Sequence, residues 1–265
     1  MIETTKGRAT AFSISVDNRE YWITAKHVFT GIMRGPAGEF STKRVFANIL
    51  SQNGEGDQGH DLHWVTEQFT SIDPGKDIDI LVLVPDHTLA NSDRRIVLQA
   101  ADSKSPLLGG ECEFLGFPWG GGWKAKFGTA NSPWSWLPYA KRCSVSGSLS
   151  DKDVWVLDGI NIEGFSGGPV VYNTGPDQRV FAVISGFYQE PLEVVNAPEP
   201  GQEAASVVPP PPQLPGADQE HPKKQIVETN SGFIVAFGIQ PALDAIRANP
   251  IGPLIPEAAP AQSAK

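Results

Sequence analysis

The chain has 265 residues, 40% of them hydrophobic, with 27 glycines, 23 prolines and a net charge of -9. That length can bury a sizeable core in one large β domain or two small ones, and the glycine and proline content favours short strands and turns over a helical bundle. The acidic excess, with no basic run longer than two residues, leaves no electrostatic footprint for nucleic acid or an anionic membrane. No stretch approaches the ~18 apolar residues of a membrane span.

The first seven residues, Met1-Ile2-Glu3-Thr4-Thr5-Lys6-Gly7, carry no apolar core of a signal peptide, so a cytoplasmic location is expected. Residues 9–16 read as a strand, and Asp17-Asn18 turn it back into Tyr21-Trp22-Ile23-Thr24. His27 stands at the end of that second arm and opens a short helical turn over 28–32. Further strands are expected at 45–50 and 62–66, with a Gly- and Asn-rich loop between them. His60 and His63 lack the further ligand spacing that a metal site needs, and they read as loop residues. Ile80-Leu81-Val82-Leu83-Val84 is an unbroken apolar run, the pattern of a strand buried on both faces. A polar linker over 86–104 follows.

The second half opens on a strand at 111–116 and continues into an aromatic stretch, Trp119, Trp123, Phe127, Trp134, Trp136 and Tyr139. Its interleaved glycines and prolines suggest loops. Strands are expected at 142–147, 154–157, 169–172 and 179–187. Residues 189–230 hold Pro209-Pro210-Pro211-Pro212 and few large apolar side chains, which is the composition of a disordered insertion. A strand at 231–237 and a short helix at 241–248 close the second half, with a disordered tail over 249–265. Cys112 and Cys143 are expected to be free and buried.

Gly164-Phe165-Ser166-Gly167-Gly168-Pro169 is the stretch that carries chemistry. Glycines around a serine free the backbone to aim N–H groups at one point, as a developing oxyanion requires. A nucleophilic serine needs a base, and the base needs a carboxylate. The hexamer resembles the nucleophile motif of trypsin- and chymotrypsin-like serine proteases, the bacterial type included. Thr24-Ala25-Lys26-His27 is similar to the histidine segment of that family, and Asp77-Ile78-Asp79-Ile80 to its aspartate segment. The order His, Asp, Ser is the family's order.

The resemblance implies an all-β fold of two six-stranded antiparallel barrels with a short C-terminal helix. Residues 1–100 would form the first barrel and 101–248 the second. It implies a serine endopeptidase with His27, Asp79 and Ser166 as triad, the backbone N–H groups of Gly164 and Ser166 as oxyanion hole, and no metal or other cofactor. Asp79 is preferred over Asp77 because it leaves an unbroken apolar strand after it; Asp77 stays open as the alternative. The partner expected is a protein or peptide substrate, with control by a regulatory protein, the aromatic loops or the insertion.

By the same resemblance Ile160, six residues before Ser166, would floor the primary pocket, and Ser185, Gly186 and Phe187 would line its wall. Cleavage after small or medium apolar residues is expected, with Asp158 and Glu163 as the nearest acids. Phe165 stands where zymogens of the family hold an aspartate for a freed N-terminus, so activation by N-terminal cleavage is not expected. Two other readings compete. One is a protease-like binding module without catalysis. The other is an α/β-hydrolase esterase using Asp177 and His221, which would need a helix directly after Ser166.

Overall fold

Short β-forming runs broken by Gly, Asn and Asp turns fold into two curled sheets. In the computed structural model the described residues are 1–32, 40–41, 43–51, 63–89, 98–101, 106–126, 134–149, 153–174, 177–194 and 225–256. The first sheet is built from β1 (Ile2–Thr4), β2 (Gly7–Ala9), β3 (Phe12–Val16), β4 (Arg19–Thr24), β5 (Arg44–Ser51), β6 (His63–Ile72) and β7 (Leu81–Pro85), with α1 (His27–Thr30) after β4. Its spatial order is β2-β1-β5-β6-β7-β4-β3, all antiparallel. The two edge strands, β2 and β3, are consecutive in the chain with only Thr10 and Ala11 between them, so the sheet curls round upon itself. What reads in sequence as one strand is thus bent in two, because β2 pairs with β1 and β3 pairs with β4.

After β8 (Gln99–Ala100), the second sheet contains β9 (Glu111–Gly116), β12 (Tyr139–Leu149), β13 (Val154–Asp158), β14 (Pro169–Thr174), β15 (Asp177–Val194) and β16 (Gln225–Gly238). The aromatic stretch expected as loops contributes a separate hairpin of β10 (Trp123–Lys126) and β11 (Trp134–Leu137). The order β14-β9-β12-β13-β16-β15, with β15 returning to β14, closes a six-stranded barrel. The all-β expectation holds, with one barrel closed and the other an open curled sheet. β8 departs from antiparallel pairing: it runs parallel to β15. Helix α2 (Gln240–Ala248) follows β16.

Alternation explains the packing. Trp22, Leu81 and Leu83 pack inside the first sheet with Ile2, Val45 and Phe69. Tyr21, Ile23, Val82 and Val84 face the other way and join Val171, Val180 and Val183 of the second barrel and Leu243 and Ile246 of α2. β7 is therefore buried on both faces, as its unbroken apolar run requires.

In the C-terminal part, described residues reach into both the expected insertion and the expected tail. β15 runs on to Val194 and β16 begins at Gln225, so strands enter the 189–230 stretch from both ends. Residues 195–224, His221 among them, lie outside the described residues, as do His60 and Phe127. The tail up to residue 256 is also ordered. Its backbone satisfies the β3–β4 turn: Glu20 N–H donates to Pro253 O, Arg19 Nη1 to Gly252 O at 2.6 Å, and Ile255 N–H to Asn18 O. A proline-rich tail can pack this way because its carbonyls remain free to accept. Among the described residues no helix is long and apolar enough to cross a membrane.

Candidate active site

β4 carries the chain to Ala25, Lys26 and His27, and the turn before β7 carries Asp79; the pairing of Thr24 with Leu81 brings the two together. Both are buried, at 6% exposure each. Asp79 accepts the His27 backbone N–H on Oδ1 at 2.8 Å and meets His27 Nδ1 with Oδ2 at 2.7 Å. A carboxylate only accepts, so Nδ1 carries the proton and Nε2 is left as the basic nitrogen. Asp77, the alternative, is exposed. The backbone bond from Lys26 N–H to Asp79 O, at 3.4 Å, adds a further tie.

Two features of this half are not legible from the motifs. Ser185, expected in the pocket wall, donates its hydroxyl to Asp79 Oδ2 at 2.5 Å. Lys26 is fully buried, and its Nζ meets Asp73 Oδ1 at 2.6 Å and Gly75 O at 2.6 Å. Asp73 in turn accepts the backbone N–H of Phe40 and of Gly75. The histidine turn and the segment leading to Asp79 are thus clamped by an ion pair whose cation is buried. Two acids and a lysine around a histidine would have been the sequence signal, but their separation along the chain hides it.

The loop over residues 164–168 is held through its carbonyls. In a trans peptide the C=O and the following N–H point opposite ways. Glu163 O accepts Trp119 N–H at 2.9 Å, which turns Gly164 N–H away from Trp119. Gly164 O accepts the Thr10 hydroxyl at 2.7 Å. Phe165 O accepts Gly168 N–H at 2.8 Å, and Ser166 O accepts Thr10 N–H at 2.9 Å. Of the N–H groups in these four peptides, Phe165 donates to Ile162 O and Gly167 to Ile184 O. Among the described residues, those of Gly164 and Ser166 have no partner. They are the pair named from the motif.

Glycine is required where the chain bends for this. Gly164 has φ 98°, and a Cβ there would collide with the Phe117 carbonyl oxygen; Gly167 has φ 80°, and a Cβ would strike Thr10 O and Thr24 Oγ1. Ser166 leads directly into β14 and not into a helix, which removes the elbow that the α/β-hydrolase reading needs. Ser166 Oγ donates to Ser185 O at 3.3 Å, and no hydrogen bond joins it to His27.

The residues expected at the pocket differ in their exposure. Ile160 is 60% exposed, so its side chain faces solvent and does not floor a pocket. Asn161 is the buried neighbour, and its Nδ2 donates to Gly186 O at 3.3 Å, tying this loop to the wall segment. Gly186 and Phe187 are half-buried, while Asp158 and Glu163 are both exposed. Behind the loop lies a cavity of about 430 Å³ lined by Pro118, Trp119, Tyr139, Lys141, Ile162 and Phe165. Phe165 is fully buried and meets Phe114 edge-on at 4.9 Å, which fills with an aromatic pair the place where a zymogen of the resembled family would hold its aspartate. Lys141 Nζ donates to Ile160 O, and desolvation lowers its pKa. Cys112 and Cys143 are free and buried, directly opposite each other on β9 and β12 with the sulfurs 2.9 Å apart. Their hydrogen bond lowers the Cys112 pKa and raises that of Cys143.

No protein-family model and no curated protein matches the chain. Among solved structures it is similar to a serine endoprotease from Yersinia pestis, with 15% identity over 71% of this chain and 53% of that one and a TM-score of 0.41. It is also similar to the inactive form of the Rv3671c protease, with 19% identity over 68% and 72% of the two chains and a TM-score of 0.40. The chain thus spans just over half the length of the first.

Proposed function

We propose that this chain is a serine endopeptidase acting through His27, Asp79 and Ser166. The observation that carries the reading is the pair of unpartnered N–H groups on Gly164 and Ser166, flanking a serine whose neighbouring carbonyls are all engaged elsewhere. Such preorganised donors stabilise a tetrahedral oxyanion without reorganisation. Ser166 Oγ attacks the scissile carbonyl, and His27 Nε2 takes its proton and returns it to the leaving amine. Water then attacks the acyl-enzyme by the same base. Asp79 holds the tautomer and stabilises the imidazolium; Ser185 donates a further hydrogen bond to it. The exposure of Asp158 and Glu163 leaves the candidate pocket without a buried acid, in keeping with cleavage after apolar rather than basic residues.

One observation favours a second reading, a non-catalytic binding module: the Ser166 hydroxyl is turned to Ser185 O and not to His27. Catalytic hydrogen bonds are often loose before substrate binds, so this alone does not decide. Labelling with a fluorophosphonate separates the two. A catalytic serine is labelled in the wild type and not in His27→Ala, and Ser166→Ala lowers turnover of an unfolded protein substrate by about 10⁶-fold. Absence of labelling in the wild type would point to the binding module.

A further inference from the structure

We infer that Thr10 is a positioning residue of the oxyanion hole; the inference rests on the endopeptidase reading for its catalytic consequence, but not for its structural one. Thr10 sits in the break between β2 and β3, where its backbone is released from the sheet ladder. It is 2% exposed, and each of its polar groups is committed to the site. Its N–H donates to Ser166 O at 2.9 Å, and its C=O accepts the Thr24 hydroxyl at 2.8 Å, three residues before His27. Its hydroxyl donates to Gly164 O at 2.7 Å and accepts Phe117 N–H at 3.0 Å.

The hydroxyl is the decisive group. It bridges a carbonyl and an N–H, so its replacement must supply both a donor and an acceptor, as a second hydroxyl does and a methyl does not. The carbonyl it holds belongs to the residue whose own N–H is half of the oxyanion pair. The N–H it holds lies two residues before Trp119, whose N–H fixes the peptide of that same donor. Thr10 therefore orients Gly164 from both sides, and it ties the strand that delivers His27 to the loop that delivers Ser166. It touches no reacting atom. Gly167 lets the loop approach the strand break closely, since a Cβ there would strike Thr10 O.

The test compares Thr10→Val, which keeps the shape and removes the bridge, with Thr10→Ser, which keeps the bridge. Removing one oxyanion donor outright costs about 10²–10³-fold in kcat, so loosening one should cost about 10–100-fold. We expect Thr10→Val to lower kcat by that amount with KM changed less than about threefold, and Thr10→Ser to restore most of it. Amide hydrogen exchange over residues 164–168 should quicken in Thr10→Val and not in Thr10→Ser, measured at a temperature where both are folded. A role in stability alone would lower the melting temperature while leaving kcat and this local exchange unchanged, and that result overturns the inference. If the wild type proves inert to fluorophosphonate but Thr10→Val still loosens 164–168 selectively, the positioning stands and the endopeptidase reading falls.

Discussion

The two halves of the molecule hold their parts of the site by different means. Among the described residues, the buried polar or charged side chains Thr10, Ser13, Glu20, Thr24, Lys26, His27 and Asp79 lie in the first half and Asn161 in the second. The first half must present side chains, and a charged side chain can be fixed away from water only by a partner. Hence Lys26 with Asp73, His27 with Asp79, and Glu20 with the Trp22 indole N–H at 2.8 Å. The second half presents, beside the Ser166 hydroxyl, backbone N–H groups. Those are fixed by engaging the carbonyls around them and by glycines that can take the turns, inside an apolar barrel. The first half should therefore be broken by removing charge, and the second should tolerate it.

The largest effect expected follows from the most concentrated charge. Asp79→Asn should lower kcat by about 10⁴-fold, because the amide can no longer hold the working tautomer of His27. Asp77→Asn, at an exposed position outside these contacts, should change it by less than about tenfold. Steady-state kinetics on both variants decides between the two aspartates, and a crippled Asp77→Asn with an active Asp79→Asn would reverse the assignment of the carboxylate.

A smaller effect is expected one shell out. Lys26→Met leaves the half-buried Asp73 without its cation, and breaking even a fully buried pair in this way costs at most about 3–5 kcal/mol. The double change Lys26→Met with Asp73→Asn should recover part of that loss, since the unpaired charge is gone. Denaturant melts of the wild type, the two single variants and the double variant measure the coupling. Strict additivity would mean that the clamp contributes nothing and that the first half is not organised by its charges.

How much of this was legible in the sequence depended on how far apart the interacting residues lie. The turn around Ser166 and the contact of His27 with Asp79 are foreshadowed because each is set by neighbours within a few positions, such as the glycines beside Ser166 or the apolar run after Asp79. The buried strand at β7 and the helix at α2 follow from local pattern as well. Thr10 did not stand out, because its hydroxyl acts on a carbonyl 154 positions away. Ser185 read as pocket wall because its bond to Asp79 spans 106 positions. Ile160 and Asn161 differ by a single step along a loop, and only the fold decides which of them turns inward. The aromatic hairpin was masked by its glycines and prolines, which mark turns but do not say whether strands lie between them.

The smallest effect expected tests the other side of the comparison, a charge in the backbone-held half. Asp153, just before β13, has φ 51°, a conformation that asparagine takes more readily than most residues. Its backbone O accepts Gly238 N–H at 2.7 Å, and its carboxylate lies so close that a Cβ on Gly238 would strike it. Burial raises the pKa of this carboxyl above the ordinary aspartate value. Between the ordinary and the raised value the folded chain binds more protons than the unfolded one, so stability falls as pH rises through that window and the loss persists at neutral pH. Asp153→Asn removes the titrating group while keeping the shape. It should raise the melting temperature at pH 7. The advantage should shrink as pH falls to the ordinary aspartate range, where Asp153 is protonated in both states. Calorimetry of both proteins across pH 4 to 7 reads this directly. A difference that stays constant with pH would assign the gain to backbone conformation alone. A lower melting temperature in the variant at pH 7 would show that the second half, too, leans on a buried charge.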